Sequence, residues 1–324
     1  MLAARLLPRR VKENVALLLA GVGGSALALQ ARVNGVLAQR AGPVLIAALV
    51  SFAVGLVVIG AAVTATRRWP AVAGLRKGNR RLWWFGGGLC GAFFVASSAY
   101  AVPLIGVAML FVCQAAGQLS GGLAVDRAGI APGGRLPVTT ARLASGGLAI
   151  GAVLLSTSGR QVALRAAVVL MALTAGVLSA VQQAANGHVR RQSGAVLVAV
   201  LVNFSVGTAA LALLCAVQSA RGSLGPVQLP AGPWWLYSGG FLGIAFIALT
   251  ASTVRLLGVL RVTLAVVAGQ LVGAVLLDLF WRTTTPPSPQ LYAGAALVLV
   301  AVLMAGITSG NLLVRPSAGT QGRR

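Results

Sequence analysis

Acidic residues are almost absent: the 324-residue chain holds three Asp and Glu against 26 Lys and Arg, and a single His. Charged residues make up only 9% of it, where a soluble domain of this size carries roughly a quarter. That shortage excludes an ordinary water-soluble globule. One His, no buried carboxylate pair, no His–Cys cluster and no glycine-rich phosphate loop leave no apparatus for hydrolysis, phosphoryl transfer or metal chemistry. The chain therefore reads as a non-enzyme without metal or cofactor, and without a nucleotide-binding domain it is no ATP-driven pump by itself. Cysteine is equally scarce. Cys90, Cys113 and Cys215 fall within apolar runs, so no disulfide framework is implied.

What is present is apolar: 58% of residues are hydrophobic, and mean hydropathy is +0.90. The hydrophobic residues come in long runs, and about 20 mostly apolar residues cross a bilayer as one helix. A helix also satisfies its own backbone hydrogen bonds in lipid. Ten spans are expected, at about 14–37, 44–66, 82–102, 105–126, 138–157, 166–188, 195–218, 234–254, 257–279 and 291–311. The basic stretch before the first run is followed by no small-residue cleavage site, so that run reads as a retained helix rather than a signal peptide.

The net charge of +23 invites a nucleic-acid reading, which the placement of the basic residues rejects. They lie between the spans. With the N-terminus in the cytoplasm, 20 of the 26 Lys and Arg residues fall on the inside, so the positive-inside bias puts both termini there. All six Trp residues (69, 83, 84, 234, 235 and 281) fall at expected helix ends, where indole rings favour the membrane interface. The expected partners are the lipid bilayer and a small organic substrate.

An internal repeat organises the spans. A shift of 152 residues carries "QARVNG" at 30–35 onto "QQAANG" at 182–187, and over residues 30–55 it gives 12 identities in 26 positions. The same shift carries Trp83 to Trp235, Gly87 to Gly239, Gly117 to Gly269, Gln118 to Gln270 and Asp126 to Asp278. Near the fifth span the offset falls to 149, where Leu148 meets Leu297. Each unit holds five spans, and an odd number forces the second unit upside down relative to the first. The domain plan is a basic N-terminus at 1–13, one membrane repeat at 14–158, another at 159–311 and a basic tail at 312–324. Inverted repeats are a recurrent plan of secondary transporters, with the substrate site near the repeat interface.

These patterns resemble a known family. "LALQARVNGVLAQRAG", "WWFGGGLCGAFFV" and "AGQL", repeated as "QQAANGHVRRQSGAVLVAVLVNFSVG", "WWLYSGGFLGIAF" and "AGQLVGAVLLD", are similar to the YdcZ-like branch of the drug/metabolite transporter superfamily. The resemblance covers nearly the whole chain in two copies. It implies an all-α, polytopic, ten-helix fold in the inner membrane and export or exchange of small molecules. It carries no substrate with it. Small multidrug-resistance members of the superfamily use a membrane-embedded glutamate in their first helix. Here the only glutamate, Glu13, sits at the very start of the first span, and its counterpart is Arg165. A glutamate-based antiport mechanism is not expected.

The candidate substrate-binding residues are Gln30, Asn34, Gln114, Gln118, Gln182, Asn186 and Gln270. Gln30 with Asn34, Gln182 with Asn186, and Gln114 with Gln118 are each one helical turn apart, so each pair shares a face. Polar side chains in lipid turn towards the bundle interior or a cavity, although the same amides also serve as interhelical glue. Asp126 and Asp278 are candidate gating residues, with Arg127 and Arg282 as nearby partners, or else interfacial anchors. Arg32 either snorkels to the interface or offers a positive group to a substrate. His188 is read as interfacial, with proton sensing as the alternative. Ser51 and Asn203 are read as packing or hydrogen-bonding residues. A neutral or amphipathic solute fits this amide-rich lining. Transport of a small organic solute is the leading reading, with a lipid flippase and a non-transporting scaffold as alternatives. Fused halves make a monomer the default.

Overall fold

The computed structural model describes residues 8–77, 81–132, 134–135, 138–158, 163–229, 231–281 and 288–313. Arg282 and the outer parts of both basic ends, at 1–7 and 314–324, lie outside the described residues. The protein is built of helices: α1 (Arg9–Ala41), α2 (Val44–Ala65), α3 (Trp69–Lys77), α4 (Gly87–Ile105), α5 (Val107–Ala128), α6 (Thr140–Thr157), α7 (Ala163–Ser193), α8 (Val196–Ala220), α9 (Gly239–Phe280) and α10 (Pro289–Leu313). Short 3-10 turns at Leu82–Gly86 and Trp234–Tyr237 precede α4 and α9. They place Trp83 and Trp235 at matched helix entries. Among the described residues, seven helices are long and apolar enough to cross a membrane. Three shorter apolar stretches join them, at Gly239–Leu249, Leu264–Phe280 and Pro289–Met304. The short helix α3 was not expected from the sequence.

Helix α9 covers both span eight and span nine, which were expected to be separate. Forty-two residues in one straight helix would reach about 63 Å. Yet its first residue, Gly239, lies against Asn34, and the carbonyl of Trp281, one residue past its end, accepts from Arg32. Both ends therefore meet the same end of α1, and the chain reverses within this stretch. Its two arms are the two expected crossings. In the first repeat the matching reversal is an outright break between α4 and α5 at Gly106, whose φ of +81° suits only glycine without strain.

The relative orientation of the repeats follows from contacts on α4. Gly35 packs against Val102 and Pro103, near the C-terminal end of α4. Asn186, one residue before Gly35's counterpart Gly187, packs against Gly87 at the N-terminal end. These points are about 22 Å apart along the helix. Equivalent segments of the two copies thus sit at opposite ends of the bundle, and the repeats are inverted.

The repeats are also interlocked. Helix α1 packs chiefly on α9, and α7 chiefly on α5 and α4, so the first helix of each unit inserts between two crossings of the other. The approach is at backbone distance. A Cβ at Gly269 would fall on the carbonyl of Gly21, and one at Gly117 on the carbonyl of Leu173, the same contact repeated by the shift of 152. The pseudo-two-fold axis passes between α2 and α8. There the Phe52 and Phe204 rings meet at 5.1 Å, each filling the space over the other repeat's glycine, Gly207 or Gly55. Small residues give close van der Waals packing, the main source of helix association in lipid.

A methyl group forced into the α1–α9 crossing should therefore cost about 1–3 kcal/mol. Gly269→Ala is expected to lower the thermal unfolding midpoint of the purified protein in detergent. Gly146→Ala faces open space and should stay within about 0.5 kcal/mol of the parent.

Candidate functional site

Interlocking brings α1 and α7 to the middle of the bundle, and their amides with them. Between the repeats lies a cavity of about 380 Å³, within the range of small-molecule sites. Five of the seven amides expected from the sequence line it: Gln30, Gln118, Gln182, Asn186 and Gln270. They come from both copies, on four helices: α1 and α5 of the first repeat and α7 and α9 of the second. The apolar part of the wall includes Phe52, Phe94, Phe204 and Phe246.

Two expected amides lie elsewhere. Gln114 is fully buried and donates to Ser98 Oγ at 2.9 Å. One helical turn from Gln118 still rotates a side chain by about 40°, enough to place Gln114 against α4 rather than the cavity. Asn34 is 1% exposed and donates to Ser51 Oγ at 3.3 Å. Its symmetry mate Asn186 accepts from Asn203 at 3.3 Å, so equivalent positions are bonded in both copies with donor and acceptor exchanged, while the exposure differs. Asn203 lines the cavity as well, a role beyond the packing or hydrogen bonding expected of it.

That difference runs through the whole site. On α7 the lining continues from Ser179 through Gln183, Asn186 and Gly187 to Arg190. On α1 it stops at Leu27 and Gln30. Beyond them, Leu37, Ala38 and Ala41 are buried in an apolar cluster with Ala47, Ala99 and Leu236. The segment after α8 lies over this end, where the Gln228 N–H donates to the Ala41 carbonyl at 3.3 Å. The cavity is therefore open at the C-terminal end of α7 and closed at the C-terminal end of α1.

A clamp completes the closed end. Arg32 Nη2 donates to the Trp281 carbonyl at 3.2 Å, and its guanidinium lies 5.5 Å from the centre of the Trp281 ring. Trp235 meets the same ring edge-on at 5.3 Å. Trp281 thus packs on both Trp235 and Arg32. At the open end His188 takes the corresponding place between Trp84, stacked at 5.0 Å, and Trp83, edge-on at 5.2 Å. One ring nitrogen of His188 lies 2.8 Å from the Ile130 carbonyl.

The two candidate gating carboxylates lie outside the cavity wall, and their settings differ. Asp278, 4% exposed, accepts from the Val107 and Ala108 N–H groups at 3.0 and 2.7 Å. It caps the N-terminus of α5, where orphan amides and the helix dipole favour an anion. Asp126 pairs with Arg142 on α6 rather than with Arg127. Arg282, the other partner considered, lies outside the described residues.

A family model described as "Putative inner membrane exporter, YdcZ" matches residues 15–155 and again residues 167–304. Among solved structures, one titled only "Crystal structure of protein" aligns with a TM-score of 0.57. The alignment covers 93% of this chain and 98% of that one at 22% identity, and it speaks for the fold alone. No curated protein matches the chain.

The clamp makes a prediction about access. A hydrogen bond and a cation–π contact together contribute about 1.5–3 kcal/mol. In a background with the three native cysteines replaced by Ala, Arg32→Ala, which removes both contacts, should raise maleimide labelling of Asn34→Cys more than tenfold. Labelling of Asn186→Cys should change less than twofold.

Proposed function

The chain belongs to the YdcZ family of inner membrane exporters, transporters rather than enzymes, and on that premise we propose that it is a secondary transporter moving a small organic solute by alternating access. The observation that carries this reading is the asymmetry of a cavity built from two inverted, similar halves. Its wall reaches Arg190 on α7 but stops at Gln30 on α1. For inverted repeats, exchanging the two local conformations produces a second state of nearly equal energy, open at the α1 end. Rocking one repeat against the other across the Phe52–Phe204 contact would interconvert the two.

With both termini in the cytoplasm, as the distribution of basic residues favours, the open end faces the cytoplasm, the loading side for an exporter. The solute would be held by the amides of Gln30, Gln118, Gln182 and Gln270, with Asn186 towards the open mouth and Asn34 towards the closed one. None of the chain's three carboxylates lines the cavity. That supports facilitated diffusion or solute exchange over a glutamate-based proton antiport.

The test is a thermal-shift screen of the purified protein against metabolites and drugs, followed by flux of the hits in proteoliposomes. Each amide hydrogen bond contributes about 1 kcal/mol net. Gln118→Leu combined with Gln270→Leu should therefore weaken transport of a hit about ten- to thirtyfold. Unchanged flux in that variant would remove the site assignment. Bound solutes that never cross would favour the scaffold reading.

A further inference from the structure

Two arginines stand on the pathway without a counterpart in the other repeat. Arg190 lines the open mouth, and the equivalent position on α1 is Ala38, buried in the apolar plug. Arg32 is held in the clamp at the closed end, and its equivalent is Ala184. The duplication accounts for neither charge. The positive-inside bias places both Arg190 and Arg191 at this helix end, but the two are used differently: Arg191 donates to the Pro132 carbonyl at 2.8 Å and is absent from the cavity wall.

The opposite charge is missing from the same space. Of the three carboxylates in the chain, Glu13 lies in the first turns of α1, Asp126 is paired with Arg142 and Asp278 caps α5. Between the mouth and the far wall the polar groups are amides and a serine hydroxyl, Ser179. A cation entering here would lose hydration with no carboxylate to replace it, and burying an unpaired charge is expensive. An anion would meet a guanidinium at the entrance, whose planar fork suits carboxylate and phosphate, and then amide N–H donors. A cleft lined by one sign of charge also concentrates the opposite ion, roughly 10- to 1,000-fold in rate.

We propose that the cavity accepts anions, and that Arg190 at its mouth selects solutes bearing a carboxylate, phosphate or sulfonate group. This replaces the neutral or amphipathic solute expected from the amide lining alone, and rests on the transport reading only for what the solute is used for. Arg190 binds and orients the anionic group, and the amides deeper in the wall take the rest of the molecule. No covalent step is involved.

The test probes the cavity directly and needs no natural substrate. Gln183→Cys, on the cavity wall two turns from Arg190, is introduced with Cys90, Cys113 and Cys215 replaced by Ala. Its rates of reaction with the anionic sulfonatoethyl and the cationic trimethylammonioethyl methanethiosulfonate reagents are compared. Each rate is normalised to that of 2-mercaptoethanol. The expected anion-to-cation ratio is at least fivefold above that of the free thiol. Arg190→Gln should lower it at least threefold, and Arg190→Lys should retain it. A ratio at or below the free-thiol value, or one that Arg190→Gln leaves unchanged, overturns the inference. If Arg190→Gln does not fold, the ratio in the parent still decides the sign. The two readings fail separately. A charge-selective cavity without flux of any bound solute removes transport but keeps the anion site. Flux of cations at rates equal to matched anions does the reverse.

Discussion

Everything in this protein rests on the insertion of each repeat's first helix between two crossings of the other repeat. In lipid there is no hydrophobic force between helices, so association depends on close packing. At these crossings glycine allows backbone to meet backbone, Gly269 against Gly21 and Gly117 against Leu173. The insertion makes the two units mutually dependent: α1 finds its partners on α9, and α7 on α4 and α5. It also moves Gln30 and Gln182 from the periphery of their own units to the shared centre. A site between repeats is thus a consequence of how the repeats hold together.

Polar chemistry is distributed accordingly. Buried side chains that carry charge are tied down by neighbours, as Asp278 is by the α5 amides and Arg32 by the Trp281 carbonyl and ring. The amides keep their hydrogen-bonding capacity for the cavity, where they discriminate without the desolvation penalty of a full charge. The same amide pair shows what a change of state entails. Asn34 with Ser51 and Asn186 with Asn203 make matching bonds, one sealed and one at the wall of an open space. The device that differs between the two ends is local packing around a hydrogen bond between equivalent positions, which inverted repeats exchange at little energetic cost.

Much of this was legible in the residues. A polar side chain in an apolar run has to face the interior, and the constant shift of 152 pairs Gln30 with Gln182 and Gln118 with Gln270. The ten crossings followed from run length, including the two arms of α9 that form one helical stretch. Other features carry no linear signal. Arg190 and Arg191 are adjacent basic residues at a helix end, and only the bundle shows that one lines a cavity while the other binds a carbonyl. Gln114 shares a helix face with Gln118, but a small rotation sends it to Ser98. Trp281 reads as an interface residue in sequence because its partner Arg32 is 249 positions away. The interlocking itself is invisible, since either helix exchange or independent bundles satisfies the same hydropathy.

Sided labelling tests the inverted, interlocked arrangement most directly. Gln39→Cys and Arg191→Cys are introduced one at a time at equivalent positions, both exposed, in the cysteine-free background. Each is treated with a membrane-impermeant maleimide in right-side-out and inside-out vesicles. The account predicts that position 39 reacts only from the outer side and position 191 only from the inner side. Reaction of both from one side of the bilayer would contradict it.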